Sequence, residues 1–459
     1  MKYEEIIQDI KVKIIQGYWK SDDKLPSLRQ LARKYKTSSN TIAFAFRILR
    51  DEGYIFSIPA VGYFIKKRND FQISKQVKTI LKSYYDTENK NDNLINFTST
   101  DLLSKYINNN FISHLFEIQK KIFNQNEALE NIENKFSLIS CISNLLEEDE
   151  IFTLDENMII TSSSQLSIEM IIRLFSNKNK LTIALSDPSH YSVINILEKI
   201  VNLRGVHLLD DGWDFKDFEN ILSLEKIDLV YVTPNFHDPS GVCWSEEKKI
   251  YLLELAEKFD FYIIEEDNYS PLSYNKKYLS FKSLERIGKE RIFYIRDFST
   301  LLGSFLGLTC VIVPPKLKDK FLMEKIAFSI IPSQVQQNML ETFINKGYFL
   351  FFLNKLKNIL NNRLNYLVNE LKNIAELKIM HQPEGGFFIW IKLNQQIDED
   401  IFYELCKNNG LLILPGYIFY EDNRNNGKFR ISFSSTSLYE IEIGIKKIKK
   451  IISYLKEIN

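Results

Sequence analysis

The sequence predicts a multidomain chain, a small helical head followed by a larger α/β body with a mainly parallel central sheet. Three observations predict it. The 459 residues exceed one compact domain of ordinary size, and 45% hydrophobic with 13% aromatic content supplies material for more than one core. Charge is uneven along a chain whose formal net charge is zero: residues 1–70 hold fourteen Lys and Arg against eight Asp and Glu, so the remainder carries an excess of six negative charges. From about residue 157, short apolar runs alternate with helical patterns, as βαβ units around a parallel sheet require.

Composition also excludes several classes. Cys141, Cys243, Cys310 and Cys406 are widely spaced, with no C-x-x-C and no histidine at ligand spacing, so neither a zinc site nor a disulfide framework is expected. Buried free thiols and no metal are the expectation. The start, MKYEEIIQDI, lacks the apolar core of a signal peptide, and no run of 18 apolar residues follows, so a cytoplasmic location without a membrane partner is expected. Five histidines occur without a G-x-S-x-G elbow, which argues against a hydrolase triad.

In the head, Ile6, Ile7, Ile10, Ile14 and Ile15 recur at helical spacing and predict a first helix ending near Gly17. Ser27 and Gln30 have capping-box spacing before a second helix whose apolar face is Leu28, Leu31, Ala32 and Tyr35. Ser38 or Ser39 caps a third, with Ile42, Ala45, Phe46 and Leu49 on one face and Gly53 as its stop. Two short helices joined by a tight turn make a helix-turn-helix, and the strands around Tyr54-Ile55 and Tyr63–Ile65, flanking a Pro59–Gly62 turn, read as a wing. With LPSLRQLA, SSNTIAFAFRILRDEGYI and the wing glycine, the segment resembles the winged helix-turn-helix of the GntR family of bacterial regulators. The resemblance implies a double-stranded DNA operator as partner. It places Arg29 at the DNA backbone or a base edge, Ser38, Ser39, Asn40 and Thr41 at the start of the recognition helix, and Gly62 in the wing. Arg47 is added as an exposed cation of the same helix. Ser39 and Ala60 depart from the Arg and Gly frequent in the family.

A polar, charged tether is expected from Lys66 to about Asn93, with a helix around Ser74–Tyr85. In the body, strand-like runs at Asn157–Thr161, Leu181–Leu185, Leu229–Thr233, Tyr262–Glu265 and Arg291–Ile295 alternate with helical patterns at Leu166–Phe175, Val193–Val201 and Lys248–Phe259. Polar clusters follow the strands: SSSQ at Ser162–Gln165, DPSHY at Asp187–Tyr191, PNFHDPSG at Pro234–Gly241 and EEDNY at Glu265–Tyr269. Ligand chemistry in such sheets gathers at the strand C-terminal ends. The stretch Tyr294–Pro315 carries the last corner, Ser299-Thr300, between two apolar strands.

In that order, with PEGGFFIW at Pro383–Trp390, Leu414-Pro415-Gly416 and Phe429–Phe433, these segments resemble the fold-type I pyridoxal-phosphate (PLP)-dependent transferase-like domain. Together with the head they are similar to the MocR branch of GntR regulators from end to end. The resemblance implies a head at 1–68, a linker at 69–95, an aminotransferase-like large domain at 96–345 and a smaller C-terminal α+β subdomain at 346–459. By position, Ser163, Ser164 and Gln165 correspond to the phosphate loop and Tyr191 to the aromatic that stacks on the cofactor ring. Glu266 or Asp267 corresponds to the carboxylate that pairs with the pyridinium nitrogen, Tyr269 to a ring-oxygen contact, and Arg430 to the arginine that clamps a substrate carboxylate.

Departures gather around that cofactor. Thr300 stands where the family has the Schiff-base lysine, and a hydroxyl cannot form that bond. Gly307 occupies the place of the phosphate arginine, Asp297 that of a small hydroxyl residue facing the phosphate, and Asp238 that of an Asn. A carboxylate beside a phosphate is repulsive. No Tyr-Gly loop precedes Leu138, and the family's GxPD-like start is blurred at Thr98–Asp101. The expectation is therefore a DNA-binding regulator whose body dimerises and senses an effector, amino-acid-like or otherwise carboxylate-bearing, without catalytic residues. No covalent cofactor is expected, and PLP at most noncovalent and weak. The rival is a PLP-binding regulator or a PLP-dependent aminotransferase with the head as accessory.

Overall fold

The structure is a computed structural model that describes residues 3–15, 18–19, 23–51, 54–58, 61–65, 94–100, 136–175, 180–303, 307–328 and 332–458. The expected tether with its Ser74–Tyr85 helix, Gly17, Gly53, Pro59, Ala60, Asp101 and the stretch before Leu138 where a Tyr-Gly loop was sought lie outside the described residues. The chain divides into two compact units, residues 1–94 with 395–410 and 453–459, and residues 95–394 with 411–452.

The first unit holds α1 (Tyr3–Ile15), α2 (Leu28–Lys34) and α3 (Ser39–Asp51), then β1 (Ile55–Ile58) antiparallel to β2 (Gly62–Ile65). Its local signals are met by atoms. Gln30 N donates to Ser27 Oγ at 3.3 Å and Ser27 N to Gln30 Oε1 at 2.8 Å, closing the capping box. Of the two serines open as caps for α3, Ser38 does it: its Oγ accepts from Thr41 N at 3.1 Å. Ile6, Ile10, Leu31, Ile42, Ala45, Phe46 and Leu49 bury against Ile55 and Ile65, and the Phe46 ring meets Tyr63 edge-on at 4.7 Å. Asp9 accepts from both Tyr35 Oη and Lys13 Nζ, which ties α1 to the end of α2. Gly62 has φ +142°, and a Cβ there would lie 3.0 Å from Lys24 Cε, so the wing needs glycine at this point for the backbone itself.

In the second unit, β3 (Ile95–Asn96) is followed by β4 (Met158–Thr161), β5 (Thr182–Asp187), β6 (Asn202–Leu209), β7 (Gly212–Trp213), β8 (Leu229–Val232), β9 (Tyr262–Glu266), β10 (Ile292–Asp297) and β11 (Thr309–Ile312). Among the described residues β4 to β11 form one eight-stranded sheet in the order β4-β11-β10-β9-β8-β5-β6-β7. The central pairs, β6 with β5, β5 with β8, β8 with β9 and β9 with β10, are parallel; β11 runs antiparallel to β10 and β4. Helices Ser164–Phe175 and Lys318–Ala327 and the apolar sides of β4, β5, β8 and β10 share one core that includes Ile171, Ile183, Leu229 and Phe293. Strands β6 and β7 and helix Phe215–Leu224 are absent from the sequence expectation. The reason is physical: β6 alternates buried and exposed residues and carries Arg204, Gly205 and His207, so it lacks the continuous apolar run of a central strand.

A second, antiparallel sheet follows, ordered β12 (Leu377–Ile379), β13 (Phe388–Leu393), β16 (Lys428–Ser432), β15 (Leu414–Pro415), while β14 (Leu411–Leu412) pairs with β3. Helix Tyr348–Lys372 braces it: buried Arg363 donates through Nη1 to the carbonyls of Phe433 at 3.2 Å and Ser434 at 2.6 Å. The Gly385-Gly386 pair admits the Phe236 ring, since a Cβ on Gly385 would lie 2.4 Å from Phe236 Cε1. No described helix is long and apolar enough to cross a membrane.

Phe46 is fully buried among α1, α2 and the wing. Phe46→Ala should cost about 3–5 kcal/mol of head stability, read as lost hydrogen-exchange protection in residues 28–49 with β8–β10 still protected. Equal protection in both would remove this residue from the head's core.

Candidate functional site

The C-terminal ends of β4, β5, β8 and β9 deliver the four polar clusters, and that of β10 the Ser299-Thr300 corner, to one cavity of about 760 Å³. Ser164 and Gln165 enter from the N-terminus of helix Ser164–Phe175, Tyr191 from the turn after β5, and Asp238 from the loop after β8. Glu266 and Tyr269 follow β9, Asp297, Ser299 and Thr300 follow β10, and Arg430 reaches in from β16. None of the described lining residues is a lysine.

Arg430 is 2% exposed and already paired. Its Nη1 lies 2.8 and 2.7 Å from the two Asp238 carboxylate oxygens, its Nη2 donates to the Thr98 carbonyl at 3.0 Å, and its guanidinium carbon sits 4.3 Å from the Phe388 ring centre. Its Nε has no partner among the described residues. His190 Nε2 lies 3.4 Å from Asp238 Oδ2, and its Nδ1 is 2.6 Å from Ser192 Oγ. Burial holds His190 below its ordinary pKa against the pull of Asp238.

The three consecutive acids separate into three surroundings, because neighbours on a strand face opposite ways. Glu265 turns from the cavity and accepts the backbone N–H groups of Phe281 at 2.7 Å and Lys282 at 2.8 Å; burial, with Asp267 adding, pushes its carboxyl up to about 8. Glu266 faces the cavity and is held by Tyr231 Oη and by Asn268 Nδ2 at 2.8 Å. Asp267 is spent on structure, accepting from Tyr294 Oη at 2.9 Å, Arg296 Nη2 at 3.0 Å and Ser270 Oγ. Of the two acids that sequence left open, Glu266 therefore lines the cavity and Asp267 does not. Ser163 does not line it either; its Oγ caps the helix by accepting from Leu166 N at 3.2 Å.

Asp297 is 7% exposed and lines the cavity. Its Oδ1 accepts from Ser299 N at 2.8 Å, and its own N donates to Asn268 Oδ1 at 2.8 Å. Burial pushes its carboxyl up to about 6, with hydrogen bonds from Ser299 opposing and Glu266 adding. Tyr191 lines the cavity beside His190 and Phe419, with ring centres 4.7 and 5.8 Å away, and Tyr269 stands edge-on to Phe387 and Phe388. Sequence reading missed His190, Ser192, Tyr231, Asn268 and Thr98. Tyr231 hides in an apolar strand, LVYV, and only the neighbouring strand shows what its hydroxyl meets.

On the head, Arg29, Ser38, Ser39, Asn40 and Arg47 are exposed and Thr41 is half-buried, its hydroxyl 2.8 Å from that of Ser38.

A winged helix-turn-helix joined to an α/β body of fold-type I aminotransferase architecture is the class that these two units define. The aminotransferase class I and II family matches residues 114–448, so the chain belongs to it, and the gntR family of bacterial regulatory proteins matches residues 2–65, which gives the domain pairing of MocR-like regulators. Over 458 residues it is 24% identical to the HTH-type transcriptional regulator YcxD of Bacillus subtilis, covering 97% of this chain and 98% of that one. To the HTH-type transcriptional regulator NorG of Staphylococcus aureus it is 24% identical over 462 residues, covering 95% and 100%. Its fold is similar to a kynurenine aminotransferase of Pyrococcus horikoshii, with TM-score 0.74, 23% identity and coverage of 83% of this chain and 94% of that one. An archaeal alanine:glyoxylate aminotransferase gives TM-score 0.75, 22% identity and coverage of 82% and 95%.

The Asp297 environment makes a signed prediction. Its carboxyl titrates higher folded than unfolded, so the stability it contributes relative to a neutral side chain is full below about pH 4 and is lost as pH rises through about 6. Asp297→Asn, which keeps the acceptor for Ser299, should exceed wild type by about 1–3 kcal/mol in urea unfolding at pH 8, the gap closing toward pH 4. A gap independent of pH would show that the carboxyl is not perturbed.

Proposed function

We propose that the chain binds operator DNA through its head and senses a small molecule in its body without catalysing transamination. The observation that carries this reading is the end of β10, where Thr300 and no lysine faces the cavity. Arg29, the first turn of α3 around Ser39 and Asn40, and Arg47 would meet the duplex, and Gly62 shapes the wing. Ser38 and Thr41 set the start of the helix and have their hydroxyls committed to each other. The body would join two chains, so that two heads engage two half-sites.

The cofactor implied by the fold fits this cavity poorly. PLP supplies an electron sink when its aldehyde is bonded to a lysine amine, and none of the described lining residues offers one. Its phosphate would face Asp297, a buried carboxylate, with Gly307 where a cation is needed. The helix N-terminus at Ser164 and Gln165 remains a natural partner for it among the described residues. A second reading, noncovalent PLP in a regulator, draws on Tyr191 and Glu266, which still face the cavity.

DNA binding and the cofactor are tested separately. Arg29→Ala should weaken binding to DNA upstream of the protein's own reading frame and lower the slope of log K against log salt by about 0.9. Binding that is unchanged in strength and slope would detach Arg29 from the interface. Borohydride with PLP should leave no reduced adduct in the peptide holding Thr300, and mixing with amino acids and PLP should give no spectral change. An aldimine band that responds to amino acids would overturn the non-catalytic reading.

A further inference from the structure

Among the described lining residues the cavity holds three carboxylates, Asp238, Glu266 and Asp297, against one cation, Arg430. Arg430 is spent on Asp238, with both carboxylate oxygens within 2.8 Å of one guanidinium nitrogen. Glu266 and Asp297 have no cationic partner at ion-pair distance among the described residues, and His190, the one other basic group in the lining, is held below its ordinary pKa by burial. Asp297 is more than nine-tenths buried and still lines an open volume large enough for a drug-sized molecule. A buried carboxylate without a counter-charge, facing space, is the reverse of what an anionic ligand needs. Tyr191 and Tyr269 add π-faces or edges to the same walls.

We infer that the cavity selects an organic cation, an amine or amidinium whose charge lies against Glu266 and Asp297, while Asp238 serves as a built-in substitute for the carboxylate that Arg430 would otherwise take from solution. This rests on the non-catalytic reading above and reverses the sequence expectation of a carboxylate ligand, which supposed Arg430 to be free. Glu266 is the firmer anchor, because the Tyr231 hydroxyl and the Asn268 amide both donate to it and fix its position. Asp297 completes the site at the end where a phosphate would otherwise sit.

Titration calorimetry on the full-length protein with phenethylamine and 3-phenylpropionate, matched except for the sign of the end group, tests it. The amine should bind saturably, at least about tenfold tighter than the acid. Asp297→Asn and Glu266→Gln should each weaken the amine by about tenfold or more, with cooperative unfolding and DNA binding retained. Asp238→Asn should free Arg430 and strengthen 3-phenylpropionate by about tenfold. Failure of the amine to bind, preference of wild type for the acid or for PLP, or amine binding indifferent to both acidic variants would overturn the inference. A protein that binds DNA but prefers the acid sinks this inference alone, whereas a reducible PLP adduct sinks the reading beneath it.

Discussion

A guanidinium withdrawn from water has to meet an anion, and in this chain Arg430 on β16 meets Asp238 from the loop after β8. Both Arg430 and Asp238 are 2% exposed. Removing one member of such a pair leaves the other charged and buried, at about 3–5 kcal/mol. The pair therefore fastens β16 of the C-terminal sheet to the loop after β8, and through the Thr98 carbonyl to the segment after β3. His190, Phe388 and Phe419 are arranged around it. One wall of the cavity exists in its present form because that charge is satisfied within the unit.

A second buried arginine is also neutralised within the unit. Arg296, also buried, is neutralised by Asp267 and Asp149, each at 3.0 Å, with the Tyr294 hydroxyl between. This fixes the end of β10 and consumes Asp267, so the only acid of the 265–267 run left facing the cavity is Glu266. Behind it, Lys249 and Glu265 share one buried cluster, Lys249 Nζ donating to Asn235 Oδ1 at 2.8 Å and to the Leu279 carbonyl. Among the described residues that line the cavity, Glu266 and Asp297 are the carboxylates without a cation at ion-pair distance, whereas Asp238 has Arg430.

Much of this was legible in order along the chain. The capping box at Ser27, the apolar faces of α1 to α3, the parallel strands and the polar clusters at their ends all come from spacings of two, three or four residues, and the atoms agree with them. Half-buried β6 escaped because its alternation, broken by Gly205, resembles neither a central strand nor a helix. Ser163 carried the right residue type for an anion loop yet serves as a helix cap, since its hydroxyl meets the helix's own N–H first.

What the sequence determined by itself is everything that depends on near neighbours: helix starts and stops, the strand and loop alternation, and the absence of lysine at position 300. What only the tertiary structure decided is which charges meet. Arg430 and Asp238 are 192 residues apart, and Arg296 and Asp149 are separated by 147. Coulomb attraction in a low-dielectric interior depends on distance through space, which no local pattern encodes, so the choice of Glu266 over Asp267 and the occupation of Arg430 had to wait for the packed sheet.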